Sequence, residues 1–112
     1  MMNNTFERTD QIIRNLEQQF IPERAKDAKP VTIGITLSGD GGGNWHLAIG
    51  DGTAQVHAGI AEKPGATIKS SVPDFLAMLS GELDGTRAFM TGKVRASGNM
   101  RLLMQFADWF AL

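Results

Sequence analysis

Three short runs of alternating side chains, joined by turn residues, constrain this chain more than any other feature. Over residues 31–38, Val31, Ile33, Ile35 and Leu37 fall on one face and Thr32, Gly34, Thr36 and Ser38 on the other. A period of two is that of a half-buried strand. The glycine-rich run 39–44 follows, and a second alternating run then carries Trp45, Leu47 and Ile49 on its apolar face. Asp51-Gly52 is the signature of a two-residue type I′ hairpin, after which Ala54, Val56, Ala58 and Ile60 share a third face. A turn centred on Asp51-Gly52 pairs residues whose numbers sum to 103, so Leu47 meets Val56 and Ile49 meets Ala54. Both pairs are apolar on one face, which fixes the register. It also sets His46 opposite His57 on the other face.

The flanks read as helix, short strand and helix. Phe6, Ile13, Leu16 and Phe20 fall on one side of a helix over about residues 5–20, capped by Asn4 or Thr5 and stopped by Pro22. Residues 23–30 are charged, with few apolar anchors, and read as a linker. Residues 66–70 add a short fourth strand carrying Ile68. Ser71-Val72-Pro73-Asp74 then starts a helix with a serine cap, an early proline and an acid in the first turn. Gly81 ends it, and Gly85 interrupts the chain before Ala88-Phe89-Met90. A fifth strand is expected over 93–97, and Gly98-Asn99 turns the chain into a last helix. That helix is apolar on several sides, which requires more than one apolar neighbour.

Composition narrows the function classes. A chain of 112 residues with 42% apolar side chains reads as one domain with one core, at about residues 31–110. No apolar run approaches the roughly 18 residues of a spanning helix, and no secretory leader is read at the N-terminus. There is no cysteine, which removes disulfides and thiolate chemistry and fits a cytoplasmic protein. Net charge is −1 with the basic residues scattered, so no nucleic-acid partner is expected. The run Gly39 to Gly43 lacks the Gly-Lys-Ser/Thr ending of a phosphate loop and joins two strands, so it reads as a hairpin loop. The two histidines offer too few ligands for a native metal site, and no cofactor is implied. No serine stands in a G-x-S-x-G elbow, and no catalytic set converges. The chain is read as no enzyme.

What remains is a Phe, Met, Leu and Trp set concentrated between residues 70 and 110. Such a set serves either as plain core or as the wall of a cavity. Met is flexible and polarisable, suited to surfaces that adapt to varied apolar ligands. Glycines at 81, 85, 92 and 98 divide the covering layer into short pieces that can part.

At these residues the chain resembles the sterol carrier protein type two (SCP-2-like) lipid-binding domain family. The resemblance is carried by Gly42-Gly43-x-Trp45, by Asp74-Phe75 in a helix ending near Gly81, by Ala88-Phe89-Met90-Thr91-Gly92-Lys93, and by Gly98-Asn99-Met100. Asn99 stands where relatives often carry Asp, with little consequence expected for a loop residue. The ending Phe110-Ala111-Leu112 is not a Ser-Lys-Leu-type address, so a peroxisomal location is not carried over. The resemblance implies an α/β (α+β) fold: a five-stranded, mostly antiparallel sheet covered on one face by helices, with a hydrophobic tunnel between the layers. It implies a non-catalytic carrier of a fatty acid, acyl-CoA, sterol-like or isoprenoid lipid. On matching positions the lining falls to Phe75, Leu79, Met90, Met100, Leu103, Met104, Phe106 and Phe110, with Ile35 and Trp45 as the sheet-side floor. The expected partner is thus a hydrophobic small molecule or lipid, with transient membrane contact. A second reading makes the chain an interaction module of lipid or quinone metabolism, with a homodimer or partner surface on the last helix, ending in Trp109-Phe110-Ala111-Leu112.

Overall fold

The computed structural model describes residues 5–110. Among them, strands β1 (Val31–Ser38), β2 (Gly43–Gly50), β3 (Thr53–Ala58), β4 (Ala66–Ser71) and β5 (Val94–Gly98) form one sheet in the order β3-β2-β1-β4-β5. Every neighbouring pair is antiparallel except β1 with β4. The expected fold class therefore stands. So does the hairpin register: Leu47 faces Val56, Ile49 faces Ala54 and His46 faces His57. Asp51 and Gly52 have φ of 52° and 78°, the paired positive values of a type I′ turn.

One face of the sheet carries Ile33, Ile35, Leu37, Trp45, Leu47, Ile49, Val56 and Ile68, all buried. The helices cover this face because their apolar stripes have nowhere else to be buried. Helices α1 (Thr5–Arg14) and α2 (Leu16–Gln19) pack on β3. Helix α3 (Val72–Ser80) packs on β4 and β1, α4 (Gly85–Met90) on β5, and α5 (Met100–Asp108) on β4. The other face, with Thr32, Thr36, His46, Gln55, His57, Lys69 and Arg95, is half-buried or exposed.

Several boundaries differ from expectation. The first helix is not continuous to residue 20: it breaks at Asn15, and Phe20 is already extended. Of the two caps considered, Asn4 lies outside the described residues. Phe6 is not core but 44% exposed, its ring stacked on Trp45 at 5.3 Å. Part of the expected linker is a 3₁₀ turn, Pro22–Ala25, and Ala25 and Ala28 pack partly against the core. Ala58 and Ile60 do not extend the buried face of β3: both are exposed, and Ile60 lies beyond the strand's end. Gly85 does not interrupt a helix but opens α4, whose start is capped by Asp84 accepting from the Arg87 N–H. Asn99 is likewise a cap, its Oδ1 accepting from the Leu102 N–H at 3.2 Å. Asn and Asp cap about equally well.

The expected serine start is present: Ser71 Oγ accepts from the Asp74 N–H, and Gly81 closes α3 in the left-handed conformation. At the far end the chain returns to its beginning. Phe20 and Phe110 form an isolated antiparallel bridge, and the Ile21 N–H donates to the Trp109 carbonyl at 2.7 Å.

Candidate functional site

The ten residues expected to line a cavity divide into two groups. Ile35, Trp45, Phe75, Phe106 and Phe110 are buried in the core cluster, with Leu79 and Leu103 half-buried against it. Met90, Met100 and Met104 lie outside, 79%, 41% and 76% exposed. Helix α5 explains the division. At 3.6 residues per turn, Leu102, Phe106 and Trp109 share the side that is buried. Met100, Leu103, Met104 and Ala107 form a second apolar stripe roughly two-fifths of a turn away. Arg101, Gln105 and Asp108 occupy the remaining side. The last helix is indeed apolar on two sides, but the protein covers only one of them.

Trp109 and Phe110 belong to the covered side, at 5% and 4% exposure. They therefore form no part of the partner surface that the sequence suggested, and Ala111 and Leu112 of that surface lie outside the described residues. Phe110 is held instead by Phe20 and Phe106, with ring centroids at 5.4 and 5.0 Å. Trp45 is also occupied. Its indole N–H donates to Asp10 Oδ1 at 2.7 Å, and Phe6 lies over its ring. The glycine run makes this possible: a Cβ on Gly43 would lie 3.0 Å from the Phe6 ring, and one on Gly41 would lie 2.5 Å from the Thr5 methyl. The glycines serve close approach of α1. Trp45 thus forms sheet floor beneath α1, away from α5.

Asp10 is the titratable group most shaped by its surroundings. Burial opposes its ionisation, but hydrogen bonds from Arg14 and from the Trp45 indole outweigh it and hold the carboxyl below its ordinary value. Sequence reasoning missed Asp10 because its partner lies 35 residues further on.

Two concavities, of about 570 and 340 Å³, lie on the uncovered face of the sheet. Neither is lined by the ten expected residues. The larger runs along Thr32, Ala48, Gly50, Thr53 and Gln55; the smaller includes Lys69, Lys93 and Arg95. On the same face the His46 and His57 rings stack at 5.2 Å, and His46 Nδ1 lies 2.9 Å from the Gly59 carbonyl oxygen. Among the described residues no group of three or more His, Asp or Glu side chains is placed to hold a metal. No described helix is long and apolar enough to cross a membrane.

A sheet with one polar face, roofed on the other by short helices, the last of them apolar on two sides, defines a small α/β domain of the two-layer class. A model of the SCP-2 sterol transfer family matches residues 10–111, and the chain belongs to that family. It is 36% identical over 70 residues to hydroxysteroid dehydrogenase-like protein 2 of Bos taurus, a match covering 62% of this chain and 17% of that protein. The chain thus spans about a sixth of the length of this curated relative. Among solved structures, the sterol carrier protein domain 2 of Helicoverpa armigera superposes with a TM-score of 0.72 at 24% identity, covering 94% of this chain and 84% of that one. A stereoselective inverting sec-alkylsulfatase from Pseudomonas sp. superposes at 0.75 and 18% identity, over 87% of this chain and 15% of the enzyme. At these identities the superpositions establish the fold.

Proposed function

We propose that the chain is a non-catalytic carrier that binds a hydrophobic, lipid-class molecule against the helical face of the sheet. Membership of the SCP-2 sterol transfer family carries the reading. The second apolar stripe of α5 supports it and points to where the ligand sits. Met100, Leu103 and Met104 leave α5 ready to close over an apolar molecule lying between it and α3–α4, with Phe75, Leu79, Phe106 and Ile35 beneath. Met90, at the end of α4, lines the entrance. Burial of apolar ligand and protein surface stabilises the complex by about 25 cal/mol per Å², offset by ordering of the helices and ligand. The hydrophobic tunnel belongs to this liganded state. Transient contact with a membrane, through the same exposed methionines, delivers and collects the ligand in the cytoplasm.

Native mass spectrometry of protein purified from its own host, before and after organic extraction, tests the proposal. The expected result is a stoichiometric lipid-sized mass lost on extraction. A clean unliganded mass, with no uptake of a fluorescent fatty acid, overturns it. Leu103→Trp should fill the space beneath α5 and abolish uptake in a folded protein.

A second reading is favoured by the length of the curated relative, in which the matching segment is a small part of a larger protein. Here the domain is an accessory module of an enzyme of lipid or quinone metabolism, and the Met100/Leu103/Met104/Ala107 stripe is its partner or homodimer surface. Self-association abolished by Met104→Asp, with no ligand bound at any stage, distinguishes it.

A further inference from the structure

The smaller concavity on the uncovered face gathers three cations that are far apart in sequence. Antiparallel pairing sets Lys69 of β4 directly opposite Arg95 of β5, and Lys93, just before β5, lines the same concavity. Thr36 of β1 lies beside Lys69, and Thr36, Ser38 and Gly92 complete a polar wall around a volume of about 340 Å³. No carboxylate lines it. Lys69, Lys93 and Arg95 take part in neither of the two ion pairs found among the described residues, Arg14–Asp10 and Arg24–Asp108.

Like charges directly opposite one another across two strands destabilise a sheet. Edge strands do carry basic residues to prevent pairing with other chains, and β5 is an edge strand. That role accounts for Lys93 and Arg95. It does not account for Lys69, which sits on an interior strand and is aimed into the same concavity. A bound anion relieves the repulsion among all three.

We propose that this concavity is a binding site for a phosphate-class oxyanion, held by Lys69, Lys93 and Arg95. Arginine presents a planar fork matched to two phosphate oxygens, and the lysines add point charges on either side. The volume exceeds that of a single phosphate and admits a pyrophosphate or a phosphodiester. Two residues before Gly92, α4 ends in Phe89 and Met90, which are 46% and 79% exposed. The phosphate therefore comes either from a soluble compound or from the headgroup of an amphiphile whose apolar part meets α4. The site lies on the opposite face from the proposed lipid site and does not depend on it.

The experiment is a calorimetric and amide-NMR titration with inorganic pyrophosphate, set beside sedimentation with phosphatidylcholine vesicles with and without phosphatidate. Saturable binding of pyrophosphate is expected, with shifts confined to Thr36, Ser38, Lys69, Gly92 and Arg95. The double variant Lys69→Gln/Arg95→Gln should weaken binding by at least about tenfold and, by removing repulsion, should not lower Tm. Lys93→Gln, at an exposed position before β5, serves if the double variant fails to fold. Pyrophosphate binding without vesicle binding assigns a soluble phosphate compound; phosphatidate-dependent sedimentation with weak pyrophosphate binding assigns a headgroup. Absence of saturable binding by either probe overturns the proposal, as does binding unchanged by the substitutions.

Discussion

Asp10 lies between Trp45 and Arg14, accepting from the indole N–H on one oxygen and from the guanidinium Nε on the other, each at 2.7 Å. The pair of bonds fastens α1 to the centre of the sheet. Because the folded value of the Asp10 carboxyl is below its unfolded value, the stabilisation is complete above the unfolded value. It is lost as pH falls through the folded one. Asp10→Asn should therefore flatten the acid limb of stability as pH falls below about 5, as read by urea unfolding. Trp45→Phe, which removes the donor and keeps the ring, should cost about 1.5–3 kcal/mol at neutral pH.

Met104 and Phe106 are two positions apart on α5, at 76% and 9% exposure, and should separate stability from binding. Phe106→Ala should cost about 3–5 kcal/mol by opening the core. Met104→Asp should change stability by no more than about 0.5 kcal/mol. It should nevertheless abolish uptake of a fluorescent fatty acid. Equal effects of both on uptake per folded molecule would remove the exposed stripe from the ligand site.

Gly98 and Gly52 both have positive φ, at 91° and 78°, but only one is crowded. A Cβ on Gly98 would lie 2.6 Å from the Gly65 carbonyl oxygen, whereas one on Gly52 would meet nothing within 4 Å. Gly52→Ala should cost only the left-handed backbone penalty, about 1–2 kcal/mol. Gly98→Ala should cost more, because that carbonyl accepts from the Asn99 N–H at 3.0 Å and cannot retreat freely. Thermal unfolding of the two variants ranks them.

Glu17 and Arg14 close the outer edge of β3: Glu17 Oε2 accepts from the Val56 N–H at 2.6 Å, and Arg14 donates to the Val56 carbonyl at 3.3 Å. Glu17→Ala should cost about 1–3 kcal/mol. Hydrogen exchange at the Val56 amide should accelerate more than at its neighbours, since the edge group is returned to water.

What was legible in the sequence is what local chemistry determines. The Asp51-Gly52 turn specified its hairpin and, through the period of two, every pair across β2 and β3. Ser71, Pro73 and Gly81 specified α3 at both ends. The methionines show the limit. Periodicity placed Met100 and Met104 on an apolar helix, but it cannot tell which of two apolar stripes, nearly half a turn apart, meets the core. That depends on which stripe docks, and here Leu102, Phe106 and Trp109 do. The basic concavity was invisible for another reason. Lys69 and Arg95 become neighbours only through pairing of two strands separated by α3 and α4, and no turn joins those strands to reveal the register.

The Phe20–Phe110 bridge gives the chain a definite order of completion during synthesis. The segment around Phe20 leaves the ribosome before the sheet does, yet its ring and the Ile21 amide find their partners only in the residues after α5. The β2–β3 hairpin can form as soon as it emerges, whereas the seam along Phe20 and Ile21 waits for the sheet and α5 to follow. Until then an aromatic ring and an unpaired amide stay exposed to solvent, the kind of group that chaperones recognise. The turn after α5 thus acts as the clasp of the segment that follows α2.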